Sequence, residues 1–138
     1  MKIESMNKRS GIAFELVDSY QAPLPSLCFS ITISDNEYSG ANPQVWVEIR
    51  DLQAFISAVK KINLERQGSA TLIGMSPKEF QLTLQSVNRK GDFVLDYSLS
   101  KHVYLDYSST KRTVSGAFDM NPSDLEGIAH SFSAFVTI

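Results

Sequence analysis

The segment 94–109, VLDYSLSKHVYLDYSS, contains Leu-Asp-Tyr-Ser twice and carries the residue types of a hydrolytic site. Its even positions hold groups that could act as nucleophile and general base; they include Asp96, Ser98, His102, Tyr104 and Asp106. Because a strand rises about 3.3 Å per residue, Asp96 and His102 would be roughly 20 Å apart along a straight strand. The spacing therefore predicts no catalytic unit, and it leaves a solvated sheet face or a polar binding surface.

The remaining reactive side chains form no recognisable site. His102 and His130 are far apart in the sequence, with no cysteine or carboxylate cluster beside them, so they indicate surface histidines rather than a metal site. Cys28 falls on the less apolar face of an alternating strand, as is typical of a structural thiol. Two acidic pairs lack the partner motif of a glycosidase; they are Asp92 with Asp96, and Asp35 with Glu37. We predict no catalytic, metal-ligating or cofactor-binding residue and no cofactor.

Trp46 is the strongest single candidate for a contact with another molecule. It shares the polar side of its strand with Glu48 and is followed by Arg50. This composition is that of an interface hot spot, although a tryptophan that packs beneath a helix or loop would give the same pattern. Together with the polar face described above, the predicted partner-binding residues are Trp46, Glu48, Arg50, Asp96, His102, Tyr104 and Asp106.

Charge and composition exclude several classes of function. The chain has 138 residues, 43% of them hydrophobic, and a formal net charge of −2, which indicates one globular domain, 1–138, without a strong field for nucleic acid or membranes. Three basic dipeptides, 60–61, 89–90 and 111–112, are expected in solvated turns or a helix end. If the fold placed them side by side they could bind a phosphate or an acidic partner, but no interleaved aromatic residues favour nucleic acid.

A single cysteine and the lack of an apolar leader predict a reducing, cytoplasmic setting. No apolar run approaches the roughly 18 residues of a membrane span. We therefore expect a protein partner and neither a membrane nor a nucleic acid partner. The oligomeric state stays open.

Hydrophobic periodicity predicts an α+β fold, mainly an antiparallel sheet of about seven or eight strands, possibly in two sheets. Period-2 alternation marks most of the chain, most clearly in LCFSITIS (27–34), whereas 35–43 is expected to be a loop. We also expect a bend or break near Lys101, because strands seldom exceed about 10 residues. Within that extended segment, strand patterning explains the repeated tetrapeptide.

Two amphipathic helices are predicted, at about 51–66 and about 122–137. Asp51 is placed to cap the first helix and Gly68 to stop it, while Asn121 or Ser123 caps the second. The passages VWVEIRDLQAFISAV and GAFDMNPSDLEGIAHSFSAFV each run from a strand through Asp-Leu into a helix. Convergence explains this likeness, and a pseudo-repeat is the alternative.

In the order of these elements, residues 45–136 resemble the Wap-type immunity proteins of bacterial polymorphic toxin systems. The resemblance is carried by Trp46, by Asp51-Leu52 with Phe55, by the Gly91 turn before an alternating strand, and by the closing F-D-x-x-x-x-D-L passage, 118–125. The first 40 residues match only in being strand-like. The resemblance implies a small intracellular α+β protein that neutralises a cognate toxin without chemistry of its own. The mild charge departs from the acidity expected of a nuclease inhibitor.

Three hypotheses follow. The first is a non-catalytic, cytoplasmic binding protein of the immunity type. The second is a small-molecule binding or catalytic domain whose pocket lies between sheet and helices. The third is self-assembly through an exposed strand edge.

Overall fold

The computed structural model describes residues 1–136. Eight strands form two four-stranded antiparallel sheets, and two α-helices accompany them. The α+β prediction is therefore confirmed, including the division into two sheets. The strands are β1 (Lys2–Glu4), β2 (Ser10–Tyr20), β3 (Ser26–Asp35), β4 (Tyr38–Glu48), β5 (Ser69–Ile73), β6 (Phe80–Ser86), β7 (Phe93–Tyr104) and β8 (Ser109–Met120); the helices are α1 (Ile49–Glu65) and α2 (Leu125–Val136).

Each sheet is a meander of consecutive strands that is followed by a helix. The first sheet has the order β1-β2-β3-β4 and leads into α1, and the second has the order β5-β6-β7-β8 and leads into α2. The two similar strand-to-helix passages occupy equivalent places in these two halves. Buried residues of both helices follow the i, i+3, i+4, i+7 spacing of any amphipathic helix, which fits convergence and a pseudo-repeat equally; these are Leu52, Phe55, Ile56 and Val59 in α1 and Leu125, Ile128, Ala129 and Phe132 in α2.

The core joins both halves through phenylalanine side chains. The ring of Phe14 in β2 makes edge-to-face contacts with the rings of Phe29, Phe80 and Phe132, at centroid distances of 5.9, 5.9 and 5.1 Å. Phe132 also contacts Phe55 of α1 at 5.5 Å. One buried cluster therefore draws residues from both sheets and both helices. Edge-to-face geometry is the favoured arrangement of such rings.

The predicted loop at 35–43 is wrong. β3 and β4 pair from Asp35 and Tyr38 onward, and only Asn36 and Glu37 lie between them. Asn36 takes the left-handed backbone conformation, with φ of 60°, which asparagine tolerates better than most residues. Pro43 lies in β4, at a register shift opposite the Phe29 to Ile31 stretch of β3. β4 is an edge strand, and a proline without an N–H group is tolerated at edges and bulges.

Both helices start differently from the prediction. α1 begins at Ile49, and its N-cap is Glu48, which makes no side-chain capping hydrogen bond. Asp51 lies instead in the first turn, where its negative charge still suits the helix dipole. The helix ends before Gly68, because Arg66 already adopts the left-handed C-cap conformation.

A 3₁₀ turn, Pro122–Asp124, precedes α2, so the α-helix proper starts at Leu125 rather than 122. Of the two predicted caps Asn121 is the correct one, since its side chain accepts a hydrogen bond from the Ser123 N–H at 3.1 Å. The predicted end of this helix, near 137, lies outside the described residues.

Candidate binding surface

The β7–β8 hairpin extends well beyond its neighbouring strand. β6 pairs with β7 only over 80–86, ending at the Phe80–Leu99 pair, whereas β7 and β8 stay paired up to Tyr104 and Ser109. Residues 100–113 therefore form a two-stranded extension, here called the ribbon. The break expected near Lys101 is wrong, because pairing with β8 keeps β7 in register along its whole length.

The second Leu-Asp-Tyr-Ser, 105–108, is the turn of this hairpin and not part of a strand. Its ends are joined by a hydrogen bond from the Leu105 N–H to the Ser108 carbonyl at 2.8 Å. The first copy, 95–98, lies inside β7, with Leu95 and Tyr97 buried. Strand patterning thus explains the first copy only, and the two copies occupy unlike environments.

Large side chains on the ribbon are exposed to solvent. Tyr104 is 83% exposed, Tyr107 is fully exposed, and Leu105 is half exposed. The rings of His102 and Tyr104 lie 5.1 Å apart. Tyrosine is enriched at protein interfaces because its ring offers apolar area and its hydroxyl a hydrogen bond.

The ribbon also concentrates positive charge. In the register of the hairpin Lys101 is opposite Arg112, and His102 is opposite Lys111. The ion pairs formed within residues 1–136 are Glu4–Lys8 and Glu48–Arg50, so neither neutralises Lys101, Lys111 or Arg112. Like charges directly opposite each other, as those of Lys101 and Arg112 are, destabilise a strand pair, and an anionic surface would relieve that repulsion.

The hairpin gives one basic dipeptide, Lys111-Arg112, aromatic residues in the same element: His102 is opposite Lys111, and Tyr104 and Tyr107 belong to the same ribbon. The signal in the sequence was a charged residue at the odd position that follows Leu99. In an otherwise apolar series of odd positions, Lys101 marks the point at which the strand leaves the core.

A groove of about 650 Å³ runs between the ribbon and the start of β4. Gly40 lets β4 approach β8 closely, because a Cβ atom there would lie 2.7 Å from the Val114 Cγ1 atom. The basic side of the groove is formed by Lys101 and Arg112, and the apolar side by Leu99 and Val114. The groove is therefore an open, amphipathic extension of the ribbon surface.

Buried polar contacts hold the base of the ribbon. The Asn42 side chain, which is 4% exposed, donates to the Ser100 carbonyl at 2.8 Å. The Ser100 N–H donates to the Glu79 carbonyl at 2.7 Å, and the Ser100 and Thr113 hydroxyl oxygens are 2.9 Å apart. These hydrogen bonds satisfy buried polar groups and join the base of the ribbon to β4 and to the β5–β6 connection.

The predicted partner-binding residues fall into separate places. His102, Tyr104 and Asp106 share the ribbon, with Asp106 in the turn. Asp96 is not with them: it lies opposite Ala117 in the middle of the second sheet, and its carboxylate accepts a hydrogen bond from Gln85 at 3.1 Å.

Trp46 and Glu48 lie in β4 of the first sheet. Arg50 is in the first turn of α1, and it donates to the Glu48 carboxylate at 2.9 Å. The ribbon residues that the prediction missed are Lys101, Leu105, Tyr107, Lys111 and Arg112.

Within residues 1–136 two titratable groups have clearly shifted pKa values, those of Cys28 and Tyr97. Burial, with a smaller effect of Asp18, raises the pKa of the Cys28 thiol, which keeps it in its poorly nucleophilic protonated form. Burial also raises the pKa of the Tyr97 phenol, as does its contact with Asp35. Across residues 1–136, no three His, Cys, Asp or Glu side chains are grouped so that they could hold a metal ion.

None of the helices within 1–136 has the length and apolar character needed to cross a membrane. No protein-family model, no curated protein and no solved structure matches the chain at a significant level.

Proposed function

We propose that this protein is a non-catalytic binding protein that acts in the cytoplasm by covering the surface of a partner protein, and that the ribbon is its main contact element. The resemblance to Wap-type immunity proteins supports a bacterial toxin domain as the partner. Neutralisation then needs no chemistry from this chain, only occupation of a surface that the toxin uses.

One observation carries the proposal: the ribbon exposes Tyr104, Leu105 and Tyr107 on a rigidly based extension outside the core. The ring contact of Tyr104 is with His102 of the same ribbon and not with the core. Aromatic side chains bury large areas on association, and tyrosines are prominent among interface hot spots. A projecting hairpin can also enter a concave site on a partner, with the adjoining groove as a second contact.

The charge of the ribbon defines the chemistry of the partner surface. The ribbon contains three basic residues, Lys101, Lys111 and Arg112, and one acidic residue, Asp106, although the net charge of the whole chain is −2. A complementary partner surface is therefore acidic where it meets the ribbon. Such complementarity accelerates association and makes it sensitive to ionic strength.

The first experiment is a crosslinking pull-down from the native host with the tagged protein as bait, read by mass spectrometry. We expect a stoichiometric polypeptide that is toxic when expressed alone. Recovery of the bait alone, under conditions in which the toxin is made, would sink the immunity proposal. Recovery of nucleic acid that survives protease but not nuclease would replace a protein partner by a nucleic acid.

Matched variants then test the ribbon. The double variant Tyr104→Ser, Tyr107→Ser is expected to weaken partner binding at least about 10-fold, since hot spots contribute more than about 1.4 kcal/mol. Leu64→Ser is the control, because Leu64 is an exposed apolar residue on α1, outside the ribbon. Equal loss of binding in both variants would contradict the assignment.

Reversing the charge of ribbon residues tests whether the basic side chains steer the partner during association, as distinct from forming contacts in the complex. Lys111→Glu, Arg112→Glu should slow association and abolish most of its salt dependence. Arg89→Glu, Lys90→Glu makes the same change of charge in the β6–β7 connection and should leave association nearly unchanged. If both double variants slowed association equally, net charge rather than the ribbon would steer the partner.

A further inference from the structure

The outer face of the first sheet carries a second candidate site, away from the ribbon tip. The register of β2, β3 and β4 places Asp18, Cys28 and Trp46 in one cross-strand row, and Tyr20, Ser26 and Glu48 in the next row. Alternation along each strand puts both rows on the same face. Trp46 and Tyr20 line a cleft of about 370 Å³, here called the Trp46 cleft, together with Ser26, Met75, Ser76 and Glu79.

The far wall of the Trp46 cleft is the β5–β6 connection, which is attached to the edge of β4. The Met75 N–H donates to the Trp46 carbonyl at 2.8 Å. The Glu79 N–H donates to the Ser76 carbonyl at 2.9 Å, and the Glu79 carbonyl in turn accepts from Ser100. These bonds bring Glu79 to the same cleft as the tryptophan, although Trp46 is in the first sheet and Glu79 is in a connection between strands of the second.

The walls suit a cation. Neighbouring strands are about 4.8 Å apart, so the backbones of β2 and β4, which flank β3, are separated by roughly 10 Å. Tyr20 and Trp46 lie in adjacent rows and line the same cleft, so a cationic group bound there has two aromatic side chains beside it, and cation–π attraction acts within about 6 Å of a ring centroid. The thioether of Met75 adds a polarizable contact.

The charges around the cleft favour the same occupant. Glu79 lines it, and Asp18 and Glu48 share the face with the two aromatic residues. Arg50 is already paired with Glu48, whereas neither Glu79 nor Asp18 takes part in the ion pairs formed within residues 1–136. Lys78 precedes Glu79 but does not line the cleft. A cationic ligand in the cleft would therefore not have to displace another cationic side chain from Glu79 or Asp18.

We infer that the Trp46 cleft binds the side chain of an arginine or lysine presented by a polypeptide. Its volume is near the lower end of the range for ligand pockets, about 300–1,000 Å³, which suits one side chain better than a cofactor. No residue that lines this cleft belongs to the ribbon. The proposed function can therefore be wrong while this inference is right, and this inference can be wrong while the proposed function is right.

The single tryptophan of the chain makes the test direct, because one indole N–H resonance in an ¹⁵N-labelled sample reports on the cleft. The probes are the N-acetyl methylamides of lysine, arginine and norleucine, and tetramethylammonium chloride. We expect lysine and arginine to move the indole resonance in a saturable way, while neutral norleucine at the same concentration does not.

Two variants test which side chains of the Trp46 cleft bind the cation. Glu79→Gln should weaken binding of the lysine probe about 3-fold or more, because it removes the carboxylate while keeping the shape of the side chain. Tyr20→Leu should weaken it as well, because it keeps apolar area but removes the aromatic face. Glu65→Gln, at the end of α1, makes the same charge change as Glu79→Gln and should have no effect.

Three outcomes would overturn the inference. If norleucine moved the resonance as much as lysine, the cleft would be an apolar subsite. If tetramethylammonium bound more tightly than either amino-acid probe, the natural ligand would be a small quaternary amine rather than a polypeptide side chain. If no probe moved the resonance, the cleft would bind none of these cations.

Discussion

Tyr97 of the second sheet donates its phenolic hydrogen to the carboxylate of Asp35 at the end of β3 in the first sheet. The same carboxylate accepts a hydrogen bond from the Ser10 hydroxyl at 2.6 Å. Tyr97 is only 4% exposed, and Gly116 lies directly opposite it on β8. The two sheets are therefore joined by a partly buried polar contact as well as by the apolar core.

Removing this hydroxyl should destabilise the protein. A hydrogen bond to a charged group contributes about 1.5–3 kcal/mol, so Tyr97→Phe should lower the free energy of unfolding by an amount of that order. Urea denaturation followed by circular dichroism measures it. Tyr104→Phe is the matched control, since that hydroxyl is on an exposed ring of the ribbon. Equal stability of the Tyr97→Phe and wild-type proteins would show that the contact is not stabilising.

The same residue predicts a loss of stability in alkali. Burial, then the hydrogen bond from Tyr97 to Asp35 and the charge of Asp35, raise the pKa of the Tyr97 phenol above its ordinary value of about 10. The folded protein therefore holds this proton more tightly than the unfolded chain. The resulting stability is complete below about pH 10 and is lost as the pH rises above that value.

Urea midpoints between about pH 9 and about pH 11 test the sign of this effect. The wild-type midpoint should fall more steeply with pH than that of Tyr97→Phe, which lacks the group. Parallel curves for the two proteins would assign the alkaline loss to other residues.

Gly116 leaves the space that the Tyr97 hydroxyl needs. A Cβ atom at this position would lie 2.8 Å from the Tyr97 Oη atom and 3.2 Å from its Cζ atom. Gly116→Ala should therefore cost about 1–3 kcal/mol, as is usual for overpacking. In a double-mutant cycle the cost should be smaller in the Tyr97→Phe background, because the nearest clashing atom is gone. Additive costs would contradict the contact.

At Gly127 in α2, in contrast to Gly116, an added methyl group should stabilise the protein. A Cβ atom added there would have no neighbouring atom within 4 Å. Alanine is favoured over glycine inside a helix by about 0.5–1 kcal/mol, so Gly127→Ala should raise the free energy of unfolding by about that much. A thermal denaturation midpoint that stayed unchanged or fell would indicate that this part of α2 has a constraint absent from the contacts described.

Periodicity alone predicted the buried faces well. The alternation in 27–34 placed Leu27, Phe29, Ile31 and Ile33 on one face, and all four are buried. Helical spacing in the first helix predicts a buried stripe of Leu52, Phe55, Ile56 and Val59 that ends at Ile62 or Asn63, and the buried residues of α1 are these four and Ile62. These predictions succeeded because burial of apolar side chains is the dominant favourable term in folding, and it imposes the period of the element on the sequence.

Local signals were less reliable where tertiary pairing overrides them. Gly40 and Pro43 indicated a loop, yet Gly40 lies in β4 because Val114 of the other sheet packs against it, and Pro43 is accommodated at an edge. Lys101 indicated a break in β7, yet the strand continues because β8 supplies its hydrogen bonds. In each case the deciding contact is with another strand, which a local signal does not include.

The sequence by itself determined the α+β class, the division of the chain into strands and two helices, and most of the core, because each of these depends on hydrophobic periodicity over a short window. Only the tertiary structure decided that the paired strands project as a basic, aromatic ribbon, and that Trp46 and Glu79 line one cleft. Those surfaces depend on strand register and on contacts between the two halves, which periodicity does not encode.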